Sequence, residues 1–91
     1  MKHELKILDT YFDAVDNGIK PFEVRKNDRN FQVGDMLYLK EITRTKPDDD
    51  MEKCATETYT GRTCEKYISY ILYLDDFEFQ PNNVVVLGLK E

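Results

Sequence analysis

Apolar and polar residues alternate at the start of the chain, where Leu5 and Ile7 share one face of His3-Glu4-Leu5-Lys6-Ile7-Leu8. A period of two predicts a half-buried strand that opens a sheet. The period then becomes helical. Leu8, Phe12, Val15 and Ile19 recur at i, i+4, i+7 and i+11, so Thr10 to Asn17 reads as a helix capped by Asp9, with that stripe on the core. Asp9, Asp13 and Asp16 lie to the side of the stripe and read as a solvated flank without chemistry. Asn17-Gly18 ends the helix, because glycine takes the left-handed conformation at no steric cost, and Pro21 blocks continuation.

Phe22 and Val24 alternate with Glu23 and Arg25. A strand from about Lys20 to Lys26 would bury the apolar pair and present Glu23 and Arg25 together on the other face. Asn27-Asp28-Arg29-Asn30 is turn-forming, and Val33-Gly34-Asp35 leads into an alternating strand from Met36 to Thr43. Residues 44–56, polar and without period, are expected to form a flexible loop. Thr60-Gly61 reads as a hairpin turn. Cys64 to Leu74 is apolar on both faces, as in a central strand covered on each side. Asp75 to Asn83 is an acidic connection, and Val84 to Leu89 a closing strand. No repeat or second domain is visible, so residues 1–91 read as one α+β, mainly β domain. About five or six mostly antiparallel strands with one early helix would close as a small barrel, which removes exposed sheet edges.

Composition supports that picture. Hydrophobic residues at 41% can fill one core, and the 34% charged fraction then reads as a wet surface rather than disorder. No run approaches the roughly 20 apolar residues of a membrane helix, and Met1 to Glu4 lacks the pattern of a secretory signal, so a cytoplasmic monomer with no membrane partner is expected. Cys54 and Cys64 lack CxxC spacing and companion histidines, and read as spare thiols. Asp48-Asp49-Asp50 lacks the spaced ligands of a calcium loop. Neither metal nor cofactor is expected.

Charge narrows the choice of partner. The net charge of −5 excludes a broad basic face of the kind that coats duplex nucleic acid. From Lys20 to Arg29, however, Lys20, Arg25, Lys26 and Arg29 face only Glu23 and Asp28, giving +2 and leaving −7 for the remainder. A local cationic spot on an acidic body suits a small anionic ligand.

The run Gly18-Ile19-Lys20-Pro21-Phe22-Glu23-Val24-Arg25 resembles the GxKxxExR signature of the ASCH domains, a branch of the PUA-like β-barrel superfamily. Tyr11-Phe12, Asn27-Asp28-Arg29, Phe31, Val33-Gly34-Asp35 and Val85-Val86-Leu87 extend the likeness to a group of short bacterial and phage proteins of unassigned function. The resemblance implies a PUA-like barrel with a cleft beside the early helix, lined by the signature lysine, glutamate and arginine. It also implies a role in binding single-stranded RNA, a nucleotide or a nucleoside, in the bacterial cytoplasm or that of a phage's host. The candidate ligand-binding residues are Lys20, Glu23, Arg25, Asn27, Asp28 and Arg29. Lys20 offers a compact charge, Arg25 a planar fork for phosphate or base, and Glu23 an acceptor for a base amino group. Tyr11, Phe22 or Phe31 would supply a stacking ring where exposed, although most of these rings are expected in the core.

Two other functions compete. One small ASCH-type bacterial protein is an amidohydrolase that deacetylates acetylcytidine with a lysine, a threonine and a glutamate. Lys20 matches that lysine, but Glu23 stands at the threonine position, and a carboxylate does not replace a hydroxyl in forming a hydrolysable acyl intermediate. An enzyme here would instead use Lys20 and Glu23 as acid and base toward water, with Glu57 or Glu65 contributing. The third reading is a protein-interaction role for the acidic exterior of Asp48 to Asp50, Asp75, Asp76 and Glu78.

Overall fold

The computed structural model describes residues 1–45, 56–77 and 83–91. The opening alternation becomes strand β1 (Lys2–Leu8), whose inward residues are His3, Leu5 and Ile7. It runs parallel to β3 (Met36–Thr45), in register from Lys2 opposite Met36 to Leu8 opposite Ile42. Parallel neighbours need a crossover connection. Here it contains α1 (Asp9–Asp16) and β2 (Phe22–Lys26), the latter lying at the far edge of the sheet. Strands β4 (Thr56–Tyr73) and β5 (Val84–Lys90) complete the order β1-β3-β4-β5-β2, with every pairing after the first antiparallel.

The mainly β architecture with one early helix is thus as expected, curled into a half-barrel. Leu5, Ile7, Phe12, Val15, Leu37, Leu39, Ile68, Val85 and Leu87 fill its interior. The sheet's two edges, β1 and β2, are joined by side chains instead of a backbone ladder. Arg25 Nη2 donates to the Lys6 carbonyl, and Arg29 Nη1 donates to the Glu4 carbonyl at 3.1 Å. These bonds occupy edge acceptors that would otherwise be open to another strand.

Five details differ from the sequence reading. Helix α1 starts at Asp9 with Leu8 at the cap position, so Asp9 makes no side-chain cap bond and instead lies in the first turn, where its charge favours the positive end of the helix. Phe12 and Val15 are buried, but Ile19 is exposed because the helix stops at Asp16 and Gly18, at φ +79°, turns the chain outward.

Thr60-Gly61 makes no hairpin. Gly61, at φ +96°, lies within the continuous strand β4, next to the register shift between Lys40 and Ile42 of β3. A bulge and a tight turn both require a residue tolerant of positive φ, so the same glycine signals either. Arg44, Thr45 and Thr56 belong to strands where a loop was expected. The rest of that loop, with Cys54, lies outside the described residues.

Strand β4 is central in the sheet, but only one of its faces is covered between Cys64 and Ile68. Cys64, Lys66 and Ile68 point inward while Tyr67 and Tyr70 meet solvent, as an antiparallel sheet with one open face permits. Buried polar groups are paired. Asp35 accepts from the backbone N–H of Gln32 and lies 2.9 Å from His3 Nε2. Glu41 receives Arg62 through Nε at 2.8 Å and Nη2 at 2.7 Å, and Arg62 also reaches Asp13 at 3.0 Å and lies 4.5 Å over the Phe12 ring. Lys66 Nζ donates to the Asp16 carbonyl at 3.2 Å and to Glu91. Asp13 and the end of α1 therefore anchor the helix to β4.

Candidate functional site

Strand β2 forms where the alternation places it, but with its faces exchanged. Phe22 and Val24 are exposed, whereas Glu23 is only 5% accessible and Arg25 is half-buried. Alternation fixes the period of a strand and leaves open which set faces inward, since a shift of one residue exchanges them. Here the charged set goes in because its charges are satisfied there together. Lys20 Nζ lies 3.3 Å from Glu23 Oε1, and Arg25 places Nε at 2.9 Å and Nη2 at 2.7 Å from Glu23 Oε2. Lys20 also donates to the Phe22 carbonyl at 3.2 Å and stands over the rings of Tyr11, at 5.0 Å, and Phe22, at 4.8 Å. Such contacts between a cation and an aromatic face hold the ammonium in place.

This cluster forms one wall of a cleft of about 500 Å³. The volume falls within the range of small-molecule sites. Its floor is aliphatic, from Ile7 and Leu8 of β1 and Ile42 of β3, with Tyr11 of α1 beside them. A second wall is a cation pair bridged by a carboxylate. Arg44 of β3 and Glu57 of β4 are cross-strand partners, and Glu57 accepts from Lys6 Nζ at 2.9 Å and Arg44 Nη2 at 2.8 Å. These bonds, Lys6 first and Arg44 second, hold the Glu57 carboxyl below its ordinary range, while Glu57 raises Lys6. Lys6 also ties the walls together, since its carbonyl receives Arg25 and its ammonium binds Glu57.

Four cations, Lys6, Lys20, Arg25 and Arg44, thus line the cleft with two carboxylates, Glu23 and Glu57, a local excess of two positive charges on a chain of net −5. Two cationic groups beside an apolar lining can take an anionic ligand with a flat apolar part.

Of the residues singled out in the sequence, Lys20, Glu23 and Arg25 converge on the cleft, and Asn27, Asp28 and Arg29 do not line it. The Asn27 N–H donates to the Asn83 carbonyl at 2.8 Å and the Asp28 N–H to the Lys26 carbonyl at 2.9 Å, both as turn contacts, while Arg29 serves the seam to β1. Glu57 lines the cleft, and Glu65 is exposed opposite Tyr38, outside it. Tyr11 and Phe22 are exposed, contrary to the expectation that most of these rings lie in the core, and Phe31 alone is buried, 4.8 Å from His3. Asp75 accepts from the Asn83 N–H, whereas Asp48 to Asp50 and Glu78 lie outside the described residues.

Residues 2–89 match the family described as a domain of unknown function, DUF3850. The chain belongs to that family. It is similar to an uncharacterized 12.9 kDa protein in the GpA 3' region of Escherichia phage P2, at 36% identity over 75 residues. That similarity covers 82% of this chain and 58% of the phage protein, so the chain spans little more than half the length of that relative. Among the described residues of this DUF3850 domain, no helix is long and apolar enough to cross a membrane, and no three histidine, cysteine, aspartate or glutamate side chains form a metal-binding group.

Lys6 and Arg44 were not legible as site residues. Lys6 occupies an outward position in an alternating strand, and Arg44 follows an aliphatic strand into a polar stretch. Only the cross-strand register brings them to Glu57.

Proposed function

We propose that this DUF3850 domain is a binding module whose cleft takes a nucleotide or a short unpaired RNA segment. The observation that carries the reading is the convergence of Lys20, Glu23 and Arg25, with the accessible Tyr11, on one cleft of net positive charge. The same residues carry the likeness to the ASCH signature of the PUA-like superfamily, whose implied fold is a small β-barrel with its cleft beside the early helix. A half-barrel with the cleft next to α1 is compatible with that placement.

Binding is favoured over hydrolysis on chemical grounds. Glu23 stands where the ASCH-type amidohydrolase has its threonine nucleophile. Glu57 is held below the usual carboxylate range, which makes it a weak base near neutral pH. A general base works best when its proton affinity lies near the working pH.

The test is calorimetric titration of the wild type and a Lys20→Ala/Arg25→Ala variant with ribonucleosides, nucleotides and short RNA oligomers, including acetylcytidine, each mixture also being assayed for product. Loss of binding in a folded variant is expected, without product formation. Unchanged affinity would remove these residues from the ligand site, and deacetylated product from the wild type would make the domain an enzyme.

A further inference from the structure

The two walls of the cleft differ in how far their cations are committed. Arg25 gives bonds to Glu23 and to the Lys6 carbonyl, and its side chain is 22% exposed. Lys20 is held by Glu23, the Phe22 carbonyl and two aromatic rings, and is 21% exposed. On the other wall, Lys6 and Arg44 each have Glu57 as their hydrogen-bond partner and are 52% and 46% exposed. Arg44 offers Nη2 to Glu57, and a guanidinium carries five N–H donors. Among the described residues, the donors of the cleft without a partner are therefore concentrated on Lys6 and Arg44.

An arginine with spare N–H groups beside a lysine matches the geometry and charge of a phosphate. We propose that the Lys6-Glu57-Arg44 wall is a phosphate subsite, and that the ligand is a phosphomonoester nucleotide with its base toward Tyr11 and its phosphate on Arg44 and Lys6. This rests on the nucleotide reading above. A phosphomonoester carries about −1.5 to −2 charges near neutral pH, which matches the cleft's excess of two cations better than the single charge of an internal RNA phosphodiester does. Glu57 acts as a positioning residue, holding Lys6 and Arg44 in place by one bond to each of its oxygens.

The experiment compares the four ribonucleosides, their 5'-monophosphates and dinucleoside monophosphates, which carry one phosphodiester, by calorimetry. The proteins are the wild type, Lys6→Ala/Arg44→Ala, Lys20→Ala/Arg25→Ala, and Lys2→Ala as a control for general charge, with folding checked by circular dichroism. A 5'-monophosphate is expected to bind the wild type about tenfold or more tightly than its nucleoside, as charge-assisted hydrogen bonds imply. That advantage should collapse in Lys6→Ala/Arg44→Ala while nucleoside binding persists, and should survive in Lys2→Ala because exposed distant charges are screened. A phosphate advantage that persists in Lys6→Ala/Arg44→Ala, or equal binding of monoester and diester, overturns the subsite. Wild-type binding of nucleosides with no gain from phosphate overturns the subsite alone, whereas no binding of any probe removes the nucleotide reading and the subsite with it.

Discussion

Glu23 is nearly enclosed, with a cation on each of its carboxylate oxygens. Glu23→Gln keeps the volume but removes the charge that Lys20 and Arg25 share. Because those two side chains are only about a fifth exposed, losing their counter-charge is more costly than breaking a surface pair, although water still reaches them. The substitution should lower the unfolding free energy by about 1–2 kcal/mol in a urea titration, and an unchanged midpoint would show that the cluster adds nothing to the fold. At this scale the sequence was partly readable. Lys20, Glu23 and Arg25 are close along the chain, so one short strand brings them together and their grouping is local. Lys6, Arg44 and Glu57 come from three strands, and nothing within reach of one another along the chain marks them as a group. Asn27 and Asp28 are turn-forming residues that lie outside the cleft lining, and their backbone N–H groups donate to the Asn83 and Lys26 carbonyls.

Among the elements, β1 is the exposed flank of the site. The carbonyls of Glu4 and Lys6 accept from Arg29 and Arg25, so these two residues face the seam, and the strand geometry turns Leu5 and Ile7 toward β3. Hydrogen exchange should therefore divide the strand by parity, with the amides of Glu4 and Lys6 exchanging at least about tenfold faster than those of Leu5 and Ile7. Equal protection along β1 would mean that the seam is closed by more than arginine side chains. Element periods were legible from the first residues onward, because periods of two and of 3.6 belong to local geometry. The inward face of β2 and the bulge at Gly61 were not, since both depend on partners distant in the sequence. For β2 the usual expectation that apolar residues go inside failed because the half-barrel is charged at that end.

For the whole molecule, the paired carboxylates set the response to acid. Asp35 is lowered chiefly by the His3 hydrogen bond, Glu41 by Arg62 and Glu57 by Lys6, from ordinary values of 3.8, 4.5 and 4.5. A carboxylate lowered in the folded state stabilises the fold above its unfolded value, and that contribution is lost as pH falls through the folded value. The urea midpoint should stay level from about pH 7 to about pH 5 and fall below about pH 4.5, with Glu41→Gln flattening the acid limb. A midpoint that rises on acidification would contradict this sign. Cys64 does not contribute in this range, since burial pushes its thiol up to about 11.

The central proposal is that the cationic cleft of this acidic domain holds a ligand. The most direct measurement is an NMR titration of the isotope-labelled wild type with ribonucleoside 5'-monophosphates, followed at every assigned amide. Shifts centred on Lys6, Tyr11, Lys20, Glu23, Arg25, Arg44 and Glu57 are the predicted result. Shifts confined to residues away from these walls, such as Asp75 and Asp76, or no shifts at all in the folded protein, would contradict the account.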